Sequence, residues 1–427
     1  MPNQKIFCSA PWYELQIYWD GSLGFCCQES HKIYSSSNAS RYNIATMSIQ
    51  EWMTSEPMQQ VRTSIRGDTP LSICSRCYKD EQFGSTSRRH KSNQKSVIFT
   101  RSNFKESYEQ SPAYDKFEGL VPTGMPVDLH IDLGNYCNLA CKMCNPQASS
   151  TIAVQEVKWG IESSRQYVGT DWTRDSAVWD RTLAEIVSIK ELSNIHFMGG
   201  ETLITPRFKD FVRALLAAGR TDIGISFVTN GTSYDQELAD LLKPFKRIGL
   251  EVSIESLTAH NHYQRQGTDT DQVLSTIERF QADGFEITLR PAISALTIGT
   301  YWTLIKYALD RRLIIKSLVA FTPVMINPAV IPLHIRESYR QPYLDLLEQY
   351  QLTETVAADY NESDPNQYRR ILRGQIDQAL ELLAQPESDP ENLKNLVAHC
   401  RRWDQMYGYN ALELYPELQD IFVSYGY

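Results

Sequence analysis

From residue 124 to residue 335 the chain alternates between two rhythms. Short runs of apolar residues, many of them β-branched or aromatic, at 127–133, 195–198, 223–228, 250–254, 285–289 and 318–321 have the length and composition of strands. Between them, at 182–189, 208–218, 235–242, 271–282 and 302–309, apolar residues recur every three or four positions, the spacing that gives a helix one buried face. Strands alternating with helices predict an α/β fold whose parallel sheet is closed or part-closed as a barrel. Chemistry on such a scaffold gathers at the carboxyl ends of the strands. Polar motifs stand at those ends: Gly199-Gly200-Glu201, Thr229-Asn230-Gly231, Glu255-Ser256, and Arg290 with Ser294.

The flanks follow other patterns. Residues 12–18 predict a strand and Asp20-Gly21 a hairpin turn, which places Cys26 and Cys27 on the return strand. Residues 47–65 have helical spacing, with Ser48 as cap, Glu51 three residues on, and Pro57 dividing the helix. Residues 85–123 are polar and turn-rich, the composition of a linker or lid. Beyond residue 340, three amphipathic segments separated at 361–365 and 386–390 predict helices whose apolar stripes pack against the barrel. The expected division is therefore 1–100, 101–123, 124–335 and 336–427.

Composition then narrows the function classes. The 427 residues, 42% apolar and 22% charged, describe an ordinary globular protein of two or three domains. No run of eighteen apolar residues exists and the N-terminal stretch lacks a signal-peptide pattern, so the expectation is a cytoplasmic protein with no membrane span. A net charge of −9 argues against broad nucleic-acid binding, which needs a basic surface. The basic run at 87–91 reads as solvated surface. In a reducing compartment, clustered thiols mean metal more often than disulfide.

Eight of the nine cysteines lie before position 145. Cys137, Cys141 and Cys144 follow the first barrel strand with C-x3-C-x2-C spacing. One loop can wrap three thiolates around one inorganic cluster, but a closed cubane takes four. One iron is then open to a substrate or cofactor. The second set, Cys8, Cys26, Cys74 and Cys77, combines a hairpin with a C-x2-C knuckle and supplies four ligands, with Cys27 as the alternative to Cys26. Zinc suits four cysteines in this spacing equally well, and a zinc loop or plain core thiols remain the alternatives for the first set. Cys400, in mid-helix on an apolar face, reads as a core thiol. His130 and His196 lie inside strands, as satisfied core residues or as substrate contacts at the barrel interior.

A strand followed by C-x3-C-x2-C resembles the radical S-adenosylmethionine (SAM) enzymes, with Met143 where most members carry an aromatic residue. The N-terminal set is similar to the SPASM/twitch modules that hold auxiliary iron–sulfur clusters in that family. The resemblance implies a partial (βα)6 TIM-like barrel, preceded by a small α+β auxiliary-cluster domain and followed by a helical C-terminal region. It implies a [4Fe–4S] cluster on Cys137, Cys141 and Cys144, chelated at its open iron by SAM, and one auxiliary cluster, also expected as [4Fe–4S], on Cys8, Cys26, Cys74 and Cys77. The stretch MGGE resembles the family's GGE motif, so Gly199, Gly200 and Glu201 would meet the methionyl amine. Thr229 and Asn230 resemble positions near the ribose, Ser253 and Glu255 the pair for its hydroxyls, and Arg265 the arginine that meets the SAM carboxylate.

In such enzymes reductive cleavage of SAM gives a 5′-deoxyadenosyl radical that takes a hydrogen atom from the substrate. An electron donor such as flavodoxin or ferredoxin is implied. On family grounds the expected substrate is a ribosomally made peptide, changed by crosslinking, epimerisation or oxidation. The same chemistry on a sugar or nucleotide is a second reading, and a non-catalytic zinc-binding scaffold a third.

Overall fold

The computed structural model describes residues 6–29, 40–82, 87–99, 124–320, 323–352 and 366–427. The expected linker or lid at 101–123, the break at 361–365 and the end of the 318–321 strand lie outside the described residues. The strands, in chain order, are β1 (Glu14–Ile17), β2 (Leu23–Gly24), β3 (Asp128–Asp132), β4 (Ala140–Cys141), β5 (Asn194–Met198), β6 (Gly224–Thr229), β7 (Arg247–Val252), β8 (Arg265–Gln266), β9 (Ile287–Leu289), β10 (Ala292–Ile293), β11 (Ile314–Ile315) and β12 (Leu318–Val319). The fold is α/β: parallel strands alternate with helices, and a helical region follows.

The chain divides into two compact units. The first comprises Met1–Tyr136, Pro146–Phe227 and Asp240–Ile248. In it β1 pairs antiparallel with β2 and parallel with β3, and β5 follows in parallel between β3 and β6. Side chains alternate across these strands. Ile195, Phe197, Ile225 and Phe227 are buried, and the Phe197 ring meets Phe208 and Phe211 of the helix Pro206–Ala217 at 4.8 and 5.0 Å. His130, His196 and Ser226 form a row along the register of β3, β5 and β6, on the side chains' alternate positions. His130 Nε2 lies 3.0 Å from Arg88 Nη2, and His196 Nδ1 lies 2.7 Å from Ser226 Oγ.

The second unit comprises Cys137–Asn145, Val228–Ala239 and Gly249–Tyr427. Here β7, β9 and β11 pair in parallel, β10 pairs with β12, and β4 pairs antiparallel with β8. The three longest C-terminal helices among the described residues are Gln341–Gln349, Gln367–Ala384 and Pro390–Tyr407. Leu393, Leu396, Val397, Cys400 and Trp403 of the last one pack with Tyr263, Leu296 and Ile326 in one apolar cluster. Cys400 is wholly buried there. Among the described residues no helix is long and apolar enough to cross a membrane.

Several local expectations need correction. The segment predicted as a strand at 12–18 opens as a short helix, Ala10–Tyr13, because Pro11 favours the first helical turn. Cys26 and Cys27 lie beyond β2, in a turn rather than on a strand. The 47–65 helix is two helices, Ile49–Met53 with a reciprocal Ser48–Glu51 cap, and Glu56–Arg66 with Pro57 in its first turn. Within the stretch expected as linker, Arg88–Phe99 is helical. The two arginines of the basic run are not solvated surface, although Lys91 is exposed: Arg88 Nη2 pairs with Glu14 Oε2 at 2.9 Å, and Arg89 Nε donates to Glu81 Oε1 at 2.9 Å. Both carboxylates are buried, so each requires a cation that the helix start supplies.

Candidate functional site

Polar side chains fix the three-cysteine loop in the second unit. Pairing of β4 with β8 sets Cys141 opposite Arg265, and Lys142 N donates to Gln264 O at 2.9 Å. Asn138, between the first two cysteines, donates to Thr232 Oγ1 and accepts from Asn230 Nδ2, both at 2.9 Å. Asn230 Oδ1 also accepts from Thr232 N at 2.9 Å and Thr232 Oγ1 at 2.7 Å. Asn230 and Thr232 thus clamp the loop, and Thr229 supports the turn that carries them: its Oγ1 accepts from Gly231 N, and its carbonyl accepts from Ser253 N.

Arg265 joins two of the expected site residues. Its Nη1 donates toward Cys141 Sγ at 3.7 Å, Nη2 donates to Glu255 Oε1 at 2.8 Å, and Nε engages Oε2 of the same carboxylate. Glu255 Oε1 also accepts from Ala292 N at 3.3 Å. Arg265 and Glu255 are therefore committed to each other and to the Cys141 thiol. Burial pushes the Cys141 and Cys144 thiols up to about 12, with Arg265 opposing it in both. A metal cluster binding here must displace those protons, because only the thiolate is a ligand.

Gly199, Gly200 and Glu201 belong to the first unit. The two glycines adopt positive φ, +77° and +57°, a region that favours residues without Cβ. A Cβ on Gly200 would stand 2.3 Å from the carbonyl oxygen of Tyr136, the residue before Cys137. Glu201 N donates to that same carbonyl at 2.7 Å. The buried Glu201 carboxylate accepts from Leu203 N at 3.0 Å, capping a short turn. The close backbone approach thus involves the segment leading into the cysteine loop.

The second cysteine set converges in the first unit. Cys8, Cys26, Cys74 and Cys77 all line one small cavity that is partly open to solvent. Phe25, Ile65, Ile73 and Tyr78 give it an apolar wall. Cys26 Sγ accepts from Gln28 N at 3.4 Å, and the backbone amides of Arg89 and Arg88 at a helix start lie toward Cys77. Burial pushes the Cys8 thiol up and the Cys74 thiol up to about 12. Cys27 is not on the cavity wall. A hydrogen bond from Cys26, reinforced by the charges of His130 and Arg88, pulls its thiol down to about 5.

Among the described residues no three His, Cys, Asp or Glu side chains are grouped to hold a single metal ion. One tetrahedral zinc would draw its sulfurs to within roughly 4 Å of each other. A cubane attaches each thiolate to a different iron and takes a wider set. The donor chemistry of both sites, cysteine only, suits such a cluster.

Three features were not singled out in the sequence. Asn138 and Thr232 are ordinary polar residues until the fold brings them together. Lys142, buried within the cysteine loop, places Nζ 3.5 Å from the centre of the Tyr263 ring and 4.4 Å from that of Trp403. Burial pulls its ammonium down to about 7, while Cys400 and Asp404 oppose the shift. A lysine between two cysteines of a short motif was the available signal.

Two family models match the chain. That of the radical SAM superfamily covers residues 131–307, and that of an iron-sulfur cluster-binding domain (SPASM) covers residues 8–78. Among solved structures the chain is similar to Streptococcus suis SuiB bound to precursor peptide SuiA, at 12% identity over 65% of this chain and 60% of that one, with a TM-score of 0.35. It is also similar to anSMEcpe with bound AdoMet, at 17% identity over 53% of this chain and 62% of that one, with a TM-score of 0.39. The chain spans about three fifths of the length of each. No curated protein matches it.

Proposed function

We propose, for a chain that carries a radical SAM domain at residues 131–307 and an iron–sulfur cluster-binding domain at residues 8–78, an enzyme that uses SAM to start radical chemistry on a peptide. The two domains imply iron–sulfur clusters and SAM binding. Cys137, Cys141 and Cys144 would hold a [4Fe–4S] cluster with one open iron, and Cys8, Cys26, Cys74 and Cys77 a closed auxiliary cluster. The observation that carries this reading is the donor set: three cysteines on one clamped loop, and four more lining a single cavity.

Held by Cys137, Cys141 and Cys144, such a cluster would supply the electron for reductive cleavage of SAM, and through it the radical that takes a hydrogen atom from the substrate. The chain's own residues bind and orient. Arg265 donates toward the Cys141 sulfur, and Asn138, Asn230 and Thr232 hold the loop's shape. Gly200 permits the close backbone passage at Tyr136, and Glu201 is proposed to meet the methionyl amine. In the same proposal Gly199 assists that contact, Thr229, Asn230, Ser253 and Glu255 lie near the ribose, and Arg265 meets the SAM carboxylate while keeping its pair with Glu255.

The substrate class proposed is a ribosomally made peptide, with crosslinking, epimerisation or oxidation as the outcome, and the donor a small low-potential protein such as flavodoxin or ferredoxin. The peptide class is taken on family grounds alone, since enzymes of this kind often act on peptides. The test is anaerobic reconstitution followed by turnover with deuterated candidate peptides, and with sugars and nucleotides in parallel. Deuterium in 5′-deoxyadenosine from a peptide supports the proposal; label arriving only from a sugar or nucleotide replaces the substrate class. A colourless protein holding zinc and no iron overturns the enzyme reading altogether.

A further inference from the structure

The second unit holds a partly open cavity of about 340 Å3 whose wall includes His260, Leu296, Gly299, Tyr339, Tyr415 and Glu417. Its volume is that of a small-ligand pocket. The His260 and Tyr415 rings meet edge to face, with centres 4.8 Å apart. The Tyr415 hydroxyl donates to Leu296 O at 2.7 Å, and the Tyr339 hydroxyl donates to the Glu417 carboxylate. Gly299 lets the Tyr339 ring come close, since a Cβ there would stand 3.1 Å from its carbons. With both hydroxyls committed, what the two tyrosines offer the cavity is their rings.

The charge on this wall is one-sided. Among the described residues no lysine or arginine lines the cavity, and Glu417 is its one carboxylate. Burial holds the His260 ring below its usual pKa, with the Glu417 charge opposing, so at neutral pH the ring adds no positive charge. Aromatic rings attract a cation through their negative faces, and a carboxylate attracts it through its charge. An anionic ligand would meet only repulsion at Glu417. The cavity also shares its supports with the proposed SAM contacts. Glu255 and Arg265 bracket the segment that contains His260, and Glu255 Oε1 accepts from Ala292 N, shortly before Leu296.

We propose that this cavity receives an organic cation carried by the substrate peptide, an arginine or lysine side chain or the amino terminus, with Glu417 as charge partner and Tyr339 and Tyr415 as aromatic walls. Assigning the cation to a peptide rests on the function proposed above; the preference for a cation rests on the cavity alone.

The experiment is a titration of the reconstituted full chain with short probes, followed by saturation-transfer difference NMR. The probes are acetyl-Gly-Arg-Gly-amide, its lysine and citrulline counterparts, and Gly-Gly-Gly-amide with and without an acetyl group. At least one cationic probe is expected to bind roughly tenfold tighter than its neutral counterpart. The cationic probe that is favoured identifies the source of the charge. Glu417 is exposed, and in Glu417→Gln the amide oxygen can still accept from Tyr339, so the variant should fold and lose the preference. Glu417→Lys supplies a cation from the chain itself and should weaken the favoured probe further. Equal affinity of cationic and neutral probes for wild type, or a preference that survives Glu417→Gln, would overturn the inference and leave the radical SAM reading standing. Should Glu417→Gln fail to fold, the arginine and citrulline comparison on wild type still decides. Turnover on a sugar or nucleotide alone would instead remove the peptide as bearer of the cation, whatever the probes show.

Discussion

The Arg265 guanidinium lies 3.7 Å from the Cys141 sulfur, and two of its other nitrogens hold both oxygens of Glu255. The Glu255 side chain is fully buried, so the two charges are stable only together. Arg265→Met should therefore destabilise the chain by about 3–5 kcal/mol, the usual cost of leaving a buried charge unpaired. The double variant Glu255→Gln with Arg265→Met should recover most of that loss. Urea midpoints of both single variants and the double variant decide the point; a double-variant loss equal to the sum of the single losses would mean that the pair is not coupled.

Gly200 is constrained twice, by its φ of +57° and by the Tyr136 carbonyl that a Cβ would meet at 2.3 Å. A backbone atom cannot swing aside as a side chain would. Gly200→Ala is expected to break the Glu201 N to Tyr136 O hydrogen bond and to weaken SAM binding at least tenfold, about 1.4 kcal/mol. Equilibrium dialysis of SAM against the reconstituted variant measures it, and unchanged affinity would separate this turn from the cofactor.

Cys26 lines the four-cysteine cavity and Cys27 does not. Cys26→Ala should lower the iron content by about four per chain, one cubane, while the three-cysteine loop keeps its own. Cys27→Ala should leave the iron count at the wild-type level. The reverse result would hand the ligand role to Cys27.

His399 packs beside Trp403, with ring centres 5.7 Å apart. Burial first, then the charges of Lys142 and Arg402, pull its pKa down to about 4. An unfolded histidine titrates near 6.5, so on acidification the unfolded chain takes up a proton that the folded chain refuses. Above about pH 6.5 the group costs nothing; as pH falls toward about 4 it removes stability, roughly 2 kcal/mol after allowance for partial exposure. His399→Phe should flatten that part of the curve of thermal midpoint against pH. A slope identical to wild type would show that the ring titrates normally.

Much of this molecule is visible in its sequence because the governing signals are local. Period-two and period-3.6 patterns locate β3, β5, β6, β7 and β9 and the helices between them, and Ser48 with Glu51 announces a capped helix that the structure contains. Cysteine spacing brings Cys137, Cys141 and Cys144 to one loop without any knowledge of the fold. What sequence does not show is long-range pairing. Arg88 and Arg89 look like surface charges until Glu14 and Glu81 are found buried against them. Asn138 becomes informative only with Asn230 and Thr232, and Lys142 only with Trp403. The short helix at Ala10–Tyr13 escapes because its aromatic residues carry a strand-like composition.

The parallel pairing of β1 with β3 sets residue 14 against residue 128 and has a cost in time. During synthesis the segment bearing Cys8, Cys26 and Cys27 emerges long before its sheet neighbour exists, and closing so large a loop slows the search for that neighbour. Throughout this interval the thiols are open to oxidation and the strand edge is open to wrong partners. If the amino-terminal cysteines hold a cluster as proposed, its assembly waits on completion of the downstream strand, and a chain that stops before residue 128 lacks the strand that β1 pairs with.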